Sequence, residues 1–205
     1  TIGQGLDEMD KIAKETLDDT FRTALTGDSK EYRESSSSLM FAFLLAILLI
    51  YLILAAQFES FKDPFIIMLT VPLAIAGALI FMFAGGITMN IFSQIGIIML
   101  IGLVAKNGIL IVEFANLKQE SGEDKMAAIR NAALQRLRPI LMTSVSTILG
   151  LIPLAFATGE GANQRIAMGT AVVGGMLVST LLTMYIVPAI YTYISTNRKV
   201  KTETV

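Results

Sequence analysis

Five long apolar runs, separated by short polar segments, dominate the pattern of this chain. A run of about 20 apolar residues is long enough to cross the roughly 30 Å hydrocarbon layer of a bilayer as a helix. The pattern therefore predicts an all-α membrane protein with five transmembrane helices. The predicted spans cover residues 39–58, 65–84, 91–117, 139–157 and 166–194.

Two polar segments also carry a helical pattern. Leu6, Met9 and Ala13 recur near helical spacing among charged residues, which predicts an amphipathic helix outside the membrane, and alternation over residues 21–25 predicts a short strand. One helix and one strand cannot bury a core alone. Residues 1–35 are therefore interpreted as the α/β end of a larger extramembrane domain.

The second polar segment, residues 118–138, joins the third and fourth spans. Its apolar residues fall on one helical face, so it is interpreted as an amphipathic helix at the membrane interface. A transmembrane unit then covers residues 36–197, and residues 198–205 form a tail.

Basic residues predict the orientation, because cytoplasmic loops are enriched in Lys and Arg. Five of them lie between spans three and four, and three more follow span five. The C-terminus is therefore expected in the cytoplasm and the N-terminus on the outer side of the membrane, which in a bacterium means the periplasm. The aromatic residues predicted for the membrane interfaces are Phe58, Phe61, Phe65, Tyr185, Tyr191 and Tyr193.

Composition narrows the possible chemistry. Of the 205 residues, 54% are hydrophobic and 16% charged, against about a quarter charged in a typical soluble domain. Cysteine and histidine are absent, which removes disulfides, thiolate chemistry and the usual side chain that titrates near neutral pH. No cofactor or metal site is expected, nor a nucleic-acid partner, and proton chemistry would have to use carboxylates, lysine or residues on another chain.

The third span holds a lysine, Lys106, where a membrane helix is expected to be apolar. A charge near the bilayer centre costs at least about 3 kcal/mol, so such residues usually face a partner or a water-filled path. Asn107 follows it directly, and Glu113 lies seven residues on, on the same face but about 10 Å away along the axis. A close partner of Lys106 is therefore expected on another helix.

The fourth span adds further polar candidates. Arg136 and Thr143 are seven residues apart, and hence on one face of a continuous helix. Interfacial anchoring of Arg136 and helix-to-helix or backbone hydrogen bonding of Thr143 remain alternatives. For Ser146 and Thr147 we favour this second role, hydrogen bonding to another helix or to the backbone.

A lysine that changes partner as a carboxylate is protonated can move helices, which favours an ion-coupled transporter. Two alternatives stay open. An intramembrane hydrolase could pair Ser144 with Lys106, although no oxyanion motif accompanies the serine. A helix bundle without chemistry could serve assembly alone.

Three stretches carry a resemblance to a known family: 51–61 (Tyr-Leu-Ile-Leu-Ala-Ala-Gln-Phe-Glu-Ser-Phe), 102–115 (around Lys106-Asn-Gly) and 136–144 (Arg-Leu-Arg-Pro-Ile-Leu-Met-Thr-Ser). They resemble the resistance–nodulation–division (RND) efflux transporters, with the hydrophobe/amphiphile (AcrB-type) branch as the best fit. The resemblance runs the length of the chain. It implies the last five of twelve helices, preceded by the end of the second periplasmic loop.

The resemblance also implies a mechanism and partners. Lys106 would pair with two aspartates on the fourth helix of the whole protein, and Arg136 and Thr143 would complete a proton relay, with Asn107 and Glu113 as weaker candidates. Amphiphilic drugs would leave by proton antiport through a homotrimer, a periplasmic adaptor and an outer-membrane channel. A related RND exporter of lipid or protein would share these helices. The aspartates are absent from this chain, so it is expected to depend on an N-terminal half and not to pump alone.

Overall fold

The computed structural model describes residues 2–18, 20–21, 23–26 and 28–196, and gives the backbone alone at residues 2, 28 and 31–37. In these ranges all regular structure is helical. The helices are α1 (Ile2–Thr16), α2 (Asp28–Phe58), α3 (Lys62–Met68), α4 (Thr70–Ala84), α5 (Ile91–Glu120), α6 (Lys125–Ala155) and α7 (Ala162–Ile194). Contacts divide the chain into two compact units, Thr1–Leu45 and Ala46–Val205.

Within the part of the chain that the structure describes, five stretches of helix are long and apolar enough to cross a membrane, which agrees with the predicted number. They are Ser38–Phe58, Lys62–Ala84, Ile91–Glu120, Lys125–Ala155 and Ala162–Ile194. The second stretch contains both α3 and α4, which are separated at Leu69. Pro72 lies one turn beyond this break and has no N–H to donate back to Met68. The lost backbone hydrogen bond weakens the helix between Met68 and Pro72.

In the first unit, α1 is helical as predicted, and its apolar residues Met9 and Ile12 are exposed. The predicted strand is not observed: Phe21 and residues 23–26 have no regular structure, and Arg22 lies outside the described residues. A lone extended segment has no neighbouring strand to satisfy its N–H and C=O groups, so it cannot form a sheet by itself. The predicted tail at 198–205 also lies outside the described residues.

The fourth membrane helix begins much earlier than the pattern indicates. Helix α6 is continuous from Lys125 to Ala155, with Pro139 inside it, so residues 125–138 of the predicted interfacial segment form one helix with the fourth span. Residues 118–120 of that segment belong instead to the end of α5. Asp124 caps its N-terminus through Met126 N–H. Between α5 and α6, Lys118 donates to Glu123 over 2.9 Å, and this bond, together with one from Asn131, holds the pKa of the Glu123 carboxyl below its ordinary value. The tight loop makes α5 and α6 antiparallel neighbours.

Close helix contacts in the second unit depend on glycines of α4 and α7. A Cβ on Gly77 of α4 would lie 2.6 Å from the Val178 Cβ of α7, and one on Gly169 of α7 would lie 2.6 Å from the Ala155 N of α6. Small residues allow helix axes to approach closely where dispersion between helices replaces the hydrophobic effect. These contacts fix α7 against α4 and α6.

One apolar core joins α2, α3, α5, α6 and α7 near the end of the bundle at which α5 and α7 finish. Phe58 and Tyr191 belong to this core and are buried, so their prediction as interfacial residues is wrong. Phe61, Phe65, Tyr185 and Tyr193 are exposed. Burial of the two aromatic rings follows from helix packing, which a single-helix pattern does not contain.

Candidate functional site

Lys106 lies on the exposed side of α5. Among the described residues its ammonium has no hydrogen-bond or ion-pair partner within the distances that define one. Gly102, one turn earlier, has open space around its Cα, and Glu113, two turns later, is exposed as well. The five helices therefore leave the charged face of α5 uncovered, and the expected partner of Lys106 does not come from them.

Asn107, the next residue, points in a different direction, into the bundle. Its Nδ2 atom lies 3.3 Å from the Ser144 Oγ of α6 and 3.4 Å from the Thr180 Oγ1 of α7. Thr180 Oγ1 also donates to Ser144 Oγ over 3.1 Å. The exposed fractions of Asn107, Ser144 and Thr180 are 2%, 2% and 4%. We call these three residues the polar clamp, because they join α5, α6 and α7.

The clamp defines where the neighbouring side chains point. Successive residues of a helix are rotated by about 100°. Consider two antiparallel helices in which one residue of each points at the other helix. The residue that precedes each of these two then projects to the same side of the pair. Since Asn107 faces Ser144, Lys106 and Thr143 both project to one side of the α5–α6 pair. The structure thus brings these two predicted site residues to a common face and turns Asn107 away from it.

Arg136 lies on α6, two turns before Thr143. Its guanidinium carbon lies 4.3 Å from the centre of the Phe114 ring of α5, and Lys118 Nζ lies 5.8 Å from the same ring. The Arg136 Nε atom is buried without a hydrogen-bond partner in the described part of the chain. The ring attracts the cation through its quadrupole. Phe114 therefore holds Arg136 beside α5, a role that the sequence alone does not indicate.

Thr143 and Thr147 form hydrogen bonds within α6. Thr143 Oγ1 donates to Ile140 O over 3.2 Å, and Thr147 Oγ1 donates to Thr143 O over 2.8 Å. This is the back-bonding that serine and threonine commonly make in membrane helices. In this arrangement the Thr143 hydroxyl proton is directed to the backbone.

A stability measurement can test the contact between Phe114 and Arg136. We expect Phe114→Leu and Arg136→Gln to show a coupling free energy of about 1 kcal/mol in a double-mutant cycle, because the pair is partly desolvated. Thermal unfolding of the chain in detergent measures it. Phe83 is 89% exposed, so a Phe83→Leu cycle with Arg136→Gln is the control and should give no coupling.

A second polar cluster was not found from the sequence. Asn116 Nδ2 donates to Asp63 Oδ2 over 3.0 Å, Tyr191 OH donates to Asn116 Oδ1, and Gln119 Nε2 donates to Tyr191 OH over 2.8 Å. All four side chains are buried. The cluster joins α3, α5 and α7. Its only signal in the sequence is the spacing of three between Asn116 and Gln119, which places two amides on one face.

The hydrolase alternative receives no support from the geometry. Ser144 is buried between Asn107 and Thr180, whereas Lys106 is exposed on the other side of α5. No hydrogen bond joins them in the ranges that the structure describes. Within the same ranges, no group of three or more carboxylate, His or Cys residues could hold a metal ion.

Comparison with known proteins places the chain in a family. The sequence profile described as the AcrB/AcrD/AcrF family matches residues 1–195. An uncharacterized transporter of Haemophilus influenzae is 39% identical over 204 residues, 96% of this chain and 20% of that protein. The toluene efflux pump membrane transporter TtgB of Pseudomonas putida is 41% identical over 195 residues, 95% of this chain and 18% of its own length.

The multidrug resistance protein MdtF of Escherichia coli is 42% identical over 167 residues, 81% of this chain and 16% of its own length. The chain thus spans about a fifth or less of these relatives. The family profile covers nearly every residue that the structure describes, including all five membrane-competent helices. The chain belongs to the AcrB/AcrD/AcrF family of RND membrane transporters.

Proposed function

We propose that this chain is the C-terminal membrane part of a proton-driven RND efflux pump that exports amphiphilic drugs by proton antiport. The observation that carries the proposal is an uncovered lysine in the middle of a membrane helix. A charge in that position is retained where it serves a proton or ion pathway. The names of two relatives, a toluene efflux pump membrane transporter and a multidrug resistance protein, support small organic molecules and drugs as the substrate class.

In the proposed relay, Lys106 binds carboxylates of the upstream half when they are ionised and releases them when they are protonated. Thr143 lies on the same side of the α5–α6 pair and would exchange its backbone bond for one to this site. Arg136, which lies over the Phe114 ring, supplies a second cation and a buried hydrogen-bond donor, its Nε atom. Glu113 lies two turns from Lys106 and would accept protons towards the cytoplasm, and Asn107 acts from the other side of α5.

We extend the proposal to the rest of the assembly, with the family as its support. We assign residues 1–35 to the end of a periplasmic porter domain, in which strands from elsewhere in the domain would pair with residues 21–25. The five spans would be the last of twelve in the inner membrane, with a periplasmic N-terminus and a cytoplasmic C-terminus. A homotrimer would work with a periplasmic adaptor and an outer-membrane channel.

Proton antiport can be measured directly. The complete transporter is reconstituted in liposomes that hold a pH gradient across their membrane. When a cationic amphiphilic drug is added, protons should flow down this gradient through the transporter. A pH-sensitive dye inside the vesicles reports the flux. Drug movement that is independent of the gradient would contradict antiport, and dissipation of the gradient without any drug movement would contradict export.

The role of Thr143 can be separated from packing by comparison with Ser146. Thr143→Ala is expected to lower export about tenfold, since a hydrogen bond to a charged group contributes roughly 1.5 kcal/mol. Ser146→Ala is expected to have little effect, because Ser146 is exposed on α6. Drug susceptibility of cells that express each variant is the measurement. Equal effects would return Thr143 to its packing role.

A further inference from the structure

The polar clamp lies directly beside the proposed relay on two helices at once. Asn107 follows Lys106 on α5, and Ser144 follows Thr143 on α6. A rotation of either helix that broke the clamp would also turn the adjacent relay residue away from the common face. The direction of Lys106 and Thr143 is therefore fixed by bonds that neither of them makes.

The three clamp residues are buried and satisfy one another across three helices. If one is lost, the remaining polar groups stay in an apolar interior, where an unpaired donor or acceptor is costly. Otherwise the helices must rotate about their axes until the remaining polar groups find other hydrogen-bond partners. Such a turn moves Lys106 and Thr143, because each precedes a clamp residue by one position.

We propose that Asn107, Ser144 and Thr180 are positioning residues that set the rotation of α5 and α6, and so direct Lys106 and Thr143 to the same side. This inference rests on the proposed relay function, which gives Lys106 and Thr143 their role. It assigns Asn107 to the positioning of the relay rather than to proton transfer. Thr180, on α7, enters the mechanism although it lies on neither helix of the relay.

Helix α7 supplies a matched pair of variants. Thr180 and Thr183 are both buried, at 4% and 2% exposure, and lie one turn apart. Thr180 Oγ1 bonds to two partners, whereas Thr183 Oγ1 has no hydrogen-bond partner among the described residues. Valine has the shape of threonine without its hydroxyl. Thr180→Val removes the clamp bonds, and Thr183→Val removes an unpaired hydroxyl from the same helix.

The first measurement is spectroscopic. The chain has no cysteine, so in a complete transporter whose other cysteines are replaced, Lys106→Cys accepts a single nitroxide spin label. We expect Thr180→Val to change the ratio of mobile to immobile label at least about fivefold, the shift that corresponds to one of the two hydrogen bonds it removes. Thr180→Ser keeps the hydroxyl and should restore the original ratio. Thr183→Val should leave it unchanged.

The second measurement is the pH profile of drug-driven proton flux in the complete transporter with Lys106 intact. Thr180→Val should displace the profile, and Thr180→Ser should restore it. If Thr180→Val behaves like Thr183→Val in both measurements, the clamp has no positioning role, and the proposed relay is unaffected. If the label moves but Lys106→Ala still transports, the clamp stands and the relay function is wrong. Should the labelled chain unfold, the pH profile alone decides: no displacement overturns the proposal.

Discussion

Replacing Lys106 by alanine is expected to abolish drug export in the complete transporter. The proposed relay depends on a cation that attracts ionised carboxylates and releases them on protonation. Removing one partner of a buried charge pair costs about 3–5 kcal/mol, equivalent to a shift of roughly 100-fold or more in a two-state equilibrium. Drug resistance and proton flux should therefore fall to the level of cells or vesicles without the pump.

The variant should leave the five helices intact, because Lys106 has no partner among the residues that the structure describes. Expression and membrane content of Lys106→Ala are therefore expected to match the parent. Met99 lies two turns earlier on the same exposed face of α5, and Met99→Ala is the matched control, with export retained. Resistance that persists in Lys106→Ala would remove the lysine from the mechanism.

Gly169→Ala is expected to lower the stability of the helix bundle strongly. The new Cβ would lie 2.6 Å from Ala155 N and 2.8 Å from Leu154 C, both of them backbone atoms of α6. Backbone atoms cannot move aside as a flexible side chain can, so α6 and α7 would have to separate. Overpacking of this kind costs about 1–3 kcal/mol and sometimes more. Thermal unfolding of the chain in detergent should show a clearly lower midpoint.

Gly150 provides the control for this substitution. It also lies within a membrane helix, but a Cβ there meets no atom within 4 Å. Gly150→Ala should be neutral or should stabilise the helix by up to about 1 kcal/mol, since alanine is the better helix former. Equal destabilisation by both variants would show that the close approach of α6 and α7 does not limit stability.

Element boundaries were predictable where the pattern was local. The apolar runs gave the five membrane helices, since backbone groups in hydrocarbon must bond within their own helix. The start of α6 at Lys125 was not predictable in this way. Pro139 resembles a residue at the start of a helix, whereas the helix continues through it in the structure. A membrane helix tolerates an internal proline when neighbouring groups compensate for the lost bond. The strand at residues 21–25 depends on partners that these helices do not provide.

Lys106, Arg136 and Thr143 could be selected from the sequence because a polar residue in an apolar run is conspicuous. The directions of their side chains could not be read there. Spacing placed Lys106 and Glu113 on one face of α5, and the structure agrees, with both exposed. That Asn107 turns inward to Ser144 and Thr180 depends on how three helices pack. No repeat within one helix contains this information.

The sequence by itself therefore determined the class of protein, the number of membrane helices, the family and the charged residues at issue. These follow from transfer free energies and short motifs, which are properties of each segment alone. Only the tertiary structure decided which face of α5 is open, which hydroxyls form the clamp, and that Asp63 and Tyr191 are buried together. Such features arise where helices distant in sequence meet, because burial and hydrogen bonding there depend on the relative rotation of whole helices.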